Sequence, residues 1–297
     1  MKMNIRELNK RFGSRRVKFS RGPEGFVWID IQNEFGSARM TLHGAHVTSF
    51  IPAGGEDVLW VSSKSQFLPG KPIRGGVPVC WPWFGKHPLD PGMPAHGYAR
   101  LCEWEVASVS SCPEGDGVEL HLAPETVPAQ YQPVPVELTF QAAVEKDGVL
   151  RLVLSMLNCG EQPVDISAAL HTYFAVDAIE NVAVDGLEKV RFIDTLDNTE
   201  HVGTGPIRIT AETDRVYLDC ENDITLRDGS HTTEIVREGS RSAVVWNPWI
   251  AKSKRMPDFG DDEFHRMICI ETANARDDAR TLDPDEFHVL ACAIIRR

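Results

Sequence analysis

The chain has 297 residues, 42% of them hydrophobic and 25% charged, which suits one large soluble domain or two ordinary ones. A formal net charge of −12 excludes general nucleic-acid binding, which needs a basic face. No stretch nears the run of about 18 apolar residues that a membrane span requires.

Residues 1–21 hold eight basic groups against one acid, Glu7, so the remainder carries −19. Residues 1–24 are expected to be a solvated or partly ordered basic extension ahead of a single domain over 25–297. The arginine pair in Ser14-Arg15-Arg16-Val17-Lys18-Phe19 is not followed by an apolar segment, so export is rejected. Beyond it, nearly every readable segment has period two. Phe26 to Ile31 reads as a strand, followed by Ala38 to Ile51 interrupted at Gly44, and by the short Asp57 to Val61. Cys102 to Val109 and Val118 to Leu122 form a second pair. Val136, Leu138, Phe140, Ala142 and Val144 alternate, Lys146-Asp147-Gly148 turns, and Leu150, Leu152, Leu154 and Met156 alternate on the return. Val164 to Phe174 reads as one strand. Shorter ones are expected at 182–184, 190–193, 207–209, 215–218, 224–226, 232–236, 243–246 and 267–271, with a longer one at 287–295. Asp261 to His265 suits one helical turn. Short strands over this length predict a large antiparallel sandwich, with two successive sandwiches as the alternative.

The stretch from Arg74 to Arg100 differs. Its glycines and prolines exclude a long helix or a regular central strand, yet it carries Trp81, Trp83, Phe84 and Tyr98. Rigid turns combined with aromatic rings suit an ordered loop that builds a site. Arg74 and Arg100 bracket it with guanidinium forks suited to carboxylate or phosphate oxygens, and an anion-and-sugar pocket is the first reading. The seven cysteines, 80, 102, 112, 159, 220, 269 and 292, include no C-x-x-C pair. They read as reduced, mostly buried thiols of a cytosolic protein rather than zinc ligands.

Four further polar residues sit in or beside apolar strands: His96, His171, Asp214 and Glu271. Burying such groups without a partner is costly, so each needs a structural mate or a task. Glu271 follows Met267, Ile268, Cys269 and Ile270, where a carboxylate of raised pKa would suit general-base work. The bland readings are a satisfied core histidine for His171, a loop-bonding histidine for His96, a cap for Asp214 and salt bridges for the two arginines. His43 and His46 form no ligand pattern, and no phosphate loop or nucleophile elbow is present. Trp246-Asn247-Pro248-Trp249 suits either a sugar-stacking platform or a packed corner.

The ordered set LHGAHVTSF, DVLWVS, KPIRGGVPVCWPWFG, HGYARLCEWEV, ALHTYF, TDRVY, VVWNPW with a lysine and the Asp-Phe pair beyond it, and MICIETAN resembles the D-hexose-6-phosphate mutarotase family, a branch of the aldose 1-epimerase-like proteins. The match runs over nearly the whole chain after residue 25. The resemblance implies an all-β supersandwich, a shallow cleft, and neither metal nor cofactor. It further implies Glu271 as the base at the anomeric hydroxyl, His171 as the acid at the ring oxygen and His96 as an orienting group. Asp214 would hold sugar hydroxyls, and Arg74 and Arg100 would clamp a 6-phosphate. Ala95 stands where some relatives have a polar residue.

The chemistry is coherent. A cyclic hemiacetal opens when one proton leaves O1 and another reaches the ring oxygen, and no redox change occurs. The expectation is a cytoplasmic monomer acting on a small sugar phosphate, with no nucleic-acid or membrane partner. A non-phosphorylated aldose mutarotase and a noncatalytic sugar-phosphate-binding module are the alternatives. A glycosidase would need a second carboxylate.

Overall fold

Alternation of buried and exposed residues organises the molecule, whose computed structural model describes residues 3–229 and 231–297. In Val136–Glu145 the residues Val136, Leu138, Phe140, Ala142 and Val144 are buried, and Val149–Asn158 buries Leu150, Leu152, Leu154 and Met156 against them. The expected turn closes this hairpin, with Asp147 and Gly148 at φ 64° and 69°, the left-handed region that Asp and Gly tolerate.

Two eight-stranded antiparallel sheets form the body. One runs in the order Thr199–Val202, Arg191–Asp194, Thr213–Leu218, Ser242–Asn247, Met267–Asn274, Ala168–Leu170, Val79–Cys80, with Tyr173–Ala175 also on Met267–Asn274. The other runs Ala183–Asp185, Ile224–Asp228, His231–Glu238, Phe287–Arg296, Val149–Asn158, Val136–Glu145, Gly115–Leu122, Glu105–Cys112. Both draw strands from early and late in the chain, so it does not divide into successive sandwiches. A four-stranded sheet, Val17–Arg21, Val27–Asn33, Gly36–Thr41 and His46–Pro52, packs against the second large sheet.

Met267–Asn274 is the central strand of the first sheet, and all eight of its residues are buried. Ile268 and Ile270 face the core between the sheets, and Met267, Cys269 and Ala273 face the opposite side with Trp246 and Tyr173. Period two places Glu271 on that second side.

Several expectations are corrected. Of the two expectations for the N-terminal arm, solvated or partly ordered, the solvated one fails for residues 3–24. Asn4 caps the helix Ile5–Arg11 through a capping box with Glu7, Leu8 is buried, and Val17–Arg21 pairs with Val27–Asn33, burying Val17 and Phe19. Isolated bridges, not strands, occupy 57–61 and 207–209. The single strand expected at 164–174 is three, Val164–Ile166, Ala168–Leu170 and Tyr173–Ala175. The reason is competition for the backbone: Ser167 N–H donates to the Pro82 carbonyl and His171 N–H to the Pro78 carbonyl, both in the Gly- and Pro-rich loop. The one-turn helix near 261–265 is a 3₁₀ turn at Glu263–Arg266.

Candidate active site

The register of the interrupted strand builds the centre of the site. Leu170 pairs with Thr272 and Tyr173 with Cys269, which sets His171 directly opposite Glu271. Cross-strand neighbours share a face, and here the side chains meet, with His171 Nε2 lying 3.3 Å from Glu271 Oε1. Glu271 is 1% exposed and His171 8%. Glu271 Oε2 and His171 Nδ1 have no hydrogen-bond partner among the described residues, an arrangement that a purely structural pair would be expected to avoid. The His171 ring stacks on Tyr173 at 4.9 Å between centroids and meets Trp246 at 6.3 Å.

Both residues line a cleft of about 730 Å³, together with His96, Asp214 and Arg74. The loop predicted from its glycines and aromatic rings shapes one wall, and Trp81 and Tyr98 anchor it in the interior. Gly97 has φ 71°, and a Cβ there would lie 1.9 Å from the Trp81 carbonyl oxygen, so only glycine permits the close approach that presents His96. The His96 ring lies 5.6 Å from that of His171 and 4.9 Å from that of Phe84. Arg74 is held beside Tyr173: its guanidinium lies 3.0 Å from Asp258 and donates to the Tyr173 hydroxyl at 3.0 Å. Asp214 lies 3.6 Å from Lys252, which also pairs with Glu212 at 3.1 Å and sits over the Trp246 ring.

Arg100 stands apart from the other five. It is not part of the cleft lining; its Nη2 donates to the Ala95 carbonyl at 2.7 Å, next to His96, and its buried Nε has no partner. Sequence reasoning missed Tyr173, Asp258, Lys252, Lys86 and Arg276. Tyr173 was within reach, because it lies two residues beyond His171 and so shares its face.

Burial dominates the electrostatics. It raises the Glu271 carboxyl well above the usual carboxylate range, helped by Asp214 and opposed by Arg100. It lowers His171 well below its ordinary value, with His96, Arg100 and Arg74 adding to the effect. His96 is pushed down to about 3 by burial, then by Arg100 and Arg74. Burial would also lower Arg74, but Tyr173 and Asp258 outweigh it and hold this guanidinium above its ordinary range. Asp214 is raised by burial against the pull of Lys252. Between the low value of His171 and the high value of Glu271, the touching pair carries one proton, which these directions place on Glu271. Such a pair can accept a proton at one substrate atom while donating one at another.

Comparisons with known proteins bear on the fold and the family. The family model described as Aldose 1-epimerase matches residues 28–294. A protein named "Putative glucose-6-phosphate 1-epimerase" from Cenchrus ciliaris is 36% identical over 260 residues, covering 84% of this chain and 78% of its own. One of the same name from Escherichia coli K12 is 36% identical over 257 residues, covering 85% and 84%. The crystal structure of YeaD from Salmonella typhimurium, described as a putative mutarotase, superposes with a TM-score of 0.87 at 31% identity, covering 95% of this chain and 94% of that one. Galactose 1-epimerase from Lactobacillus acidophilus shares the fold, with a TM-score of 0.74 at 14% identity and coverage of 96% and 99%. The β-sandwich, the ordered motifs and the match over most of the chain place this protein in the aldose 1-epimerase family.

Proposed function

We propose that the protein is an isomerase that interconverts the α and β anomers of a hexose 6-phosphate, with glucose 6-phosphate as the first candidate. The observation that carries this reading is the in-register pair His171–Glu271 lining an open cleft, each partner keeping a buried polar atom with no hydrogen-bond partner among the described residues. With the pair's single proton passed across to His171, the Glu271 carboxylate takes the proton from the anomeric hydroxyl as the C1–ring oxygen bond breaks, and His171 delivers its proton to the ring oxygen. The aldehyde rotates about C1–C2, and closure on its other face returns both protons with the roles exchanged. Proton count and oxidation state are unchanged. His96, nearly always neutral with its value near 3, presents a polar edge to the ring-oxygen side. Asp214 binds sugar hydroxyls, and the Trp246 and Tyr173 rings offer apolar surface to the sugar. Arg74 receives the 6-phosphate, and Arg100 adds the field of a buried cation behind His96, so that binding remote from C1 positions the reacting end. The seven free thiols, five of them buried, suit a reducing cytoplasm, and one chain supplies every group of the site.

Anomer exchange followed by NMR magnetisation transfer tests the reading. Wild-type protein is expected to accelerate exchange of glucose 6-phosphate more than that of glucose, and Glu271→Gln to lower the rate by about 10²–10⁴-fold. Equal catalysis of both sugars would make it a general aldose mutarotase. Binding without catalysis would make it a sugar-phosphate-binding module.

A further inference from the structure

We infer that Lys86 and Arg276 form a cationic mouth that captures the substrate's phosphate dianion and draws it into the cleft, an inference that rests on the hexose-phosphate reading. The argument begins with charge accounting. Four basic side chains line the cleft: Arg74, Lys86, Lys252 and Arg276. Arg74 is neutralised by Asp258, and Lys252 by Glu212 and Asp214. Glu271, buried beside His171, favours its neutral form. Lys86 and Arg276 have no ion-pair or hydrogen-bond partner for their side chains among the described residues, and both are exposed. Counting the second carboxylate on Lys252, the cleft therefore keeps two unpaired cations and a net excess of one positive charge on a molecule whose overall charge of −12 repels a phosphate.

Their placement is not scattered. Phe84 N–H donates to Ser167 Oγ at 2.8 Å, which ties the Phe84-Gly85-Lys86 segment to the residue just before Ala168. Ala168 pairs with Asn274, two residues before Arg276. Separate loops thus bring the two cations to one end of the cleft, with Ser167 between their anchor points and also in the lining. Arg74 bonds Asp258 and the Tyr173 hydroxyl. Arg276 is held at φ 57°, an unusual backbone for a residue with a Cβ, within the 3₁₀ turn that follows the Glu271 strand. Two exposed cations on flexible stems contribute little as a rigid clamp. Their field acts on the approaching anion instead, and such steering changes association rates by about 10–10³-fold and weakens as salt is added.

The test compares kcat/KM for glucose 6-phosphate and glucose at low and high ionic strength, for wild type, Lys86→Glu, Arg276→Asn and the double variant. Asn tolerates the left-handed backbone at 276, so the loop is kept. The expected result is a glucose 6-phosphate to glucose specificity ratio at least about tenfold lower in the double variant at low salt, with the steep salt dependence of the wild type flattened. An unchanged ratio and an unchanged salt slope in Lys86→Glu alone and in the double variant would overturn the inference while leaving the mutarotase reading intact. If wild type exchanges neither sugar, that reading fails instead. The ³¹P line width of glucose 6-phosphate then decides: broadening by wild type that the double variant loses supports a cationic mouth, and equal broadening, or none by wild type, refutes it.

Discussion

His171 and Glu271 are each expensive where they stand, and the expense explains both the chemistry and its pH range. Neither charged form is favoured so deep in the protein, so the pair titrates as a unit with one proton between its two steps. Below the lower step the pair gains a second proton and no longer has a base; above the upper step it loses its last proton and no longer has an acid. The rate of anomer exchange is therefore expected to follow a bell in pH, with a broad plateau through neutrality because burial drives the two steps apart. Asp214→Asn removes a negative charge that helps hold Glu271 up, and should move the upper limb to lower pH. A pH–rate profile on each protein checks this, and an upper limb that does not move would exclude Asp214 as the cause. The roles at this scale were only partly legible. A carboxylate at the end of four apolar residues marks itself, and so does a histidine among Ala169, Leu170 and Tyr173. Arg100 was different: its guanidinium forks suggested a ligand clamp, but the bond to the Ala95 carbonyl arises from a loop path that no periodicity encodes. Lys86, Lys252 and Arg276 look like ordinary surface cations until the fold brings them to one cleft.

Elements divide the labour between holding the molecule together and presenting the site. The hairpin Val136–Glu145 with Val149–Asn158 lies in the second large sheet, and its buried side chains do not line the cleft. Leu154→Ala is expected to lower stability by about 2–5 kcal/mol, because Leu154 is fully buried between Phe140 and Leu290 on neighbouring strands. Denaturant unfolding measures the loss, and anomer exchange by the folded variant should stay near wild type; a large loss of exchange in fully folded protein would mean that the two sheets are coupled. That hairpin was readable because alternation and turn residues agree locally. The strand around His171 was misread as continuous for the converse reason. Its apolar pattern persists through His171, but the backbone donors of Ser167 and His171 go to carbonyls of the Pro82 and Pro78 segment, a long-range preference. The N-terminal residues misled in another way. Their high charge suggested solvation, yet Leu8, Val17 and Phe19 are spaced to bury one side of a short helix and an edge strand.

Across the whole molecule, buried histidines set the response to acid. His46 is 1% exposed and donates through Nε2 to the Gly75 carbonyl at 2.7 Å, which supports the loop that carries Arg74; its Nδ1 has no partner. Protonating Nδ1 would bury an unpaired donor and a charge, and burial accordingly pushes this imidazole down to about 3 from 6.5. The folded value is depressed, so the unfolded chain binds this proton first. The stabilising contribution is complete above pH 6.5 and is lost progressively as pH falls toward 3. The His171–Glu271 pair adds nothing to this slope between 4.5 and 6.5, because it holds one proton when folded and one, on His171, when unfolded. His46 should therefore contribute about 1.4 kcal/mol of lost stability per pH unit in that window. His46→Gln keeps an N–H for the Gly75 carbonyl but cannot titrate. Unfolding free energies measured between pH 6.5 and 4.5 should fall less steeply for the variant by that amount, whatever its absolute stability. Parallel slopes for the two proteins would mean that His46 accepts its proton in the folded state, and that water reaches the loop beneath Arg74.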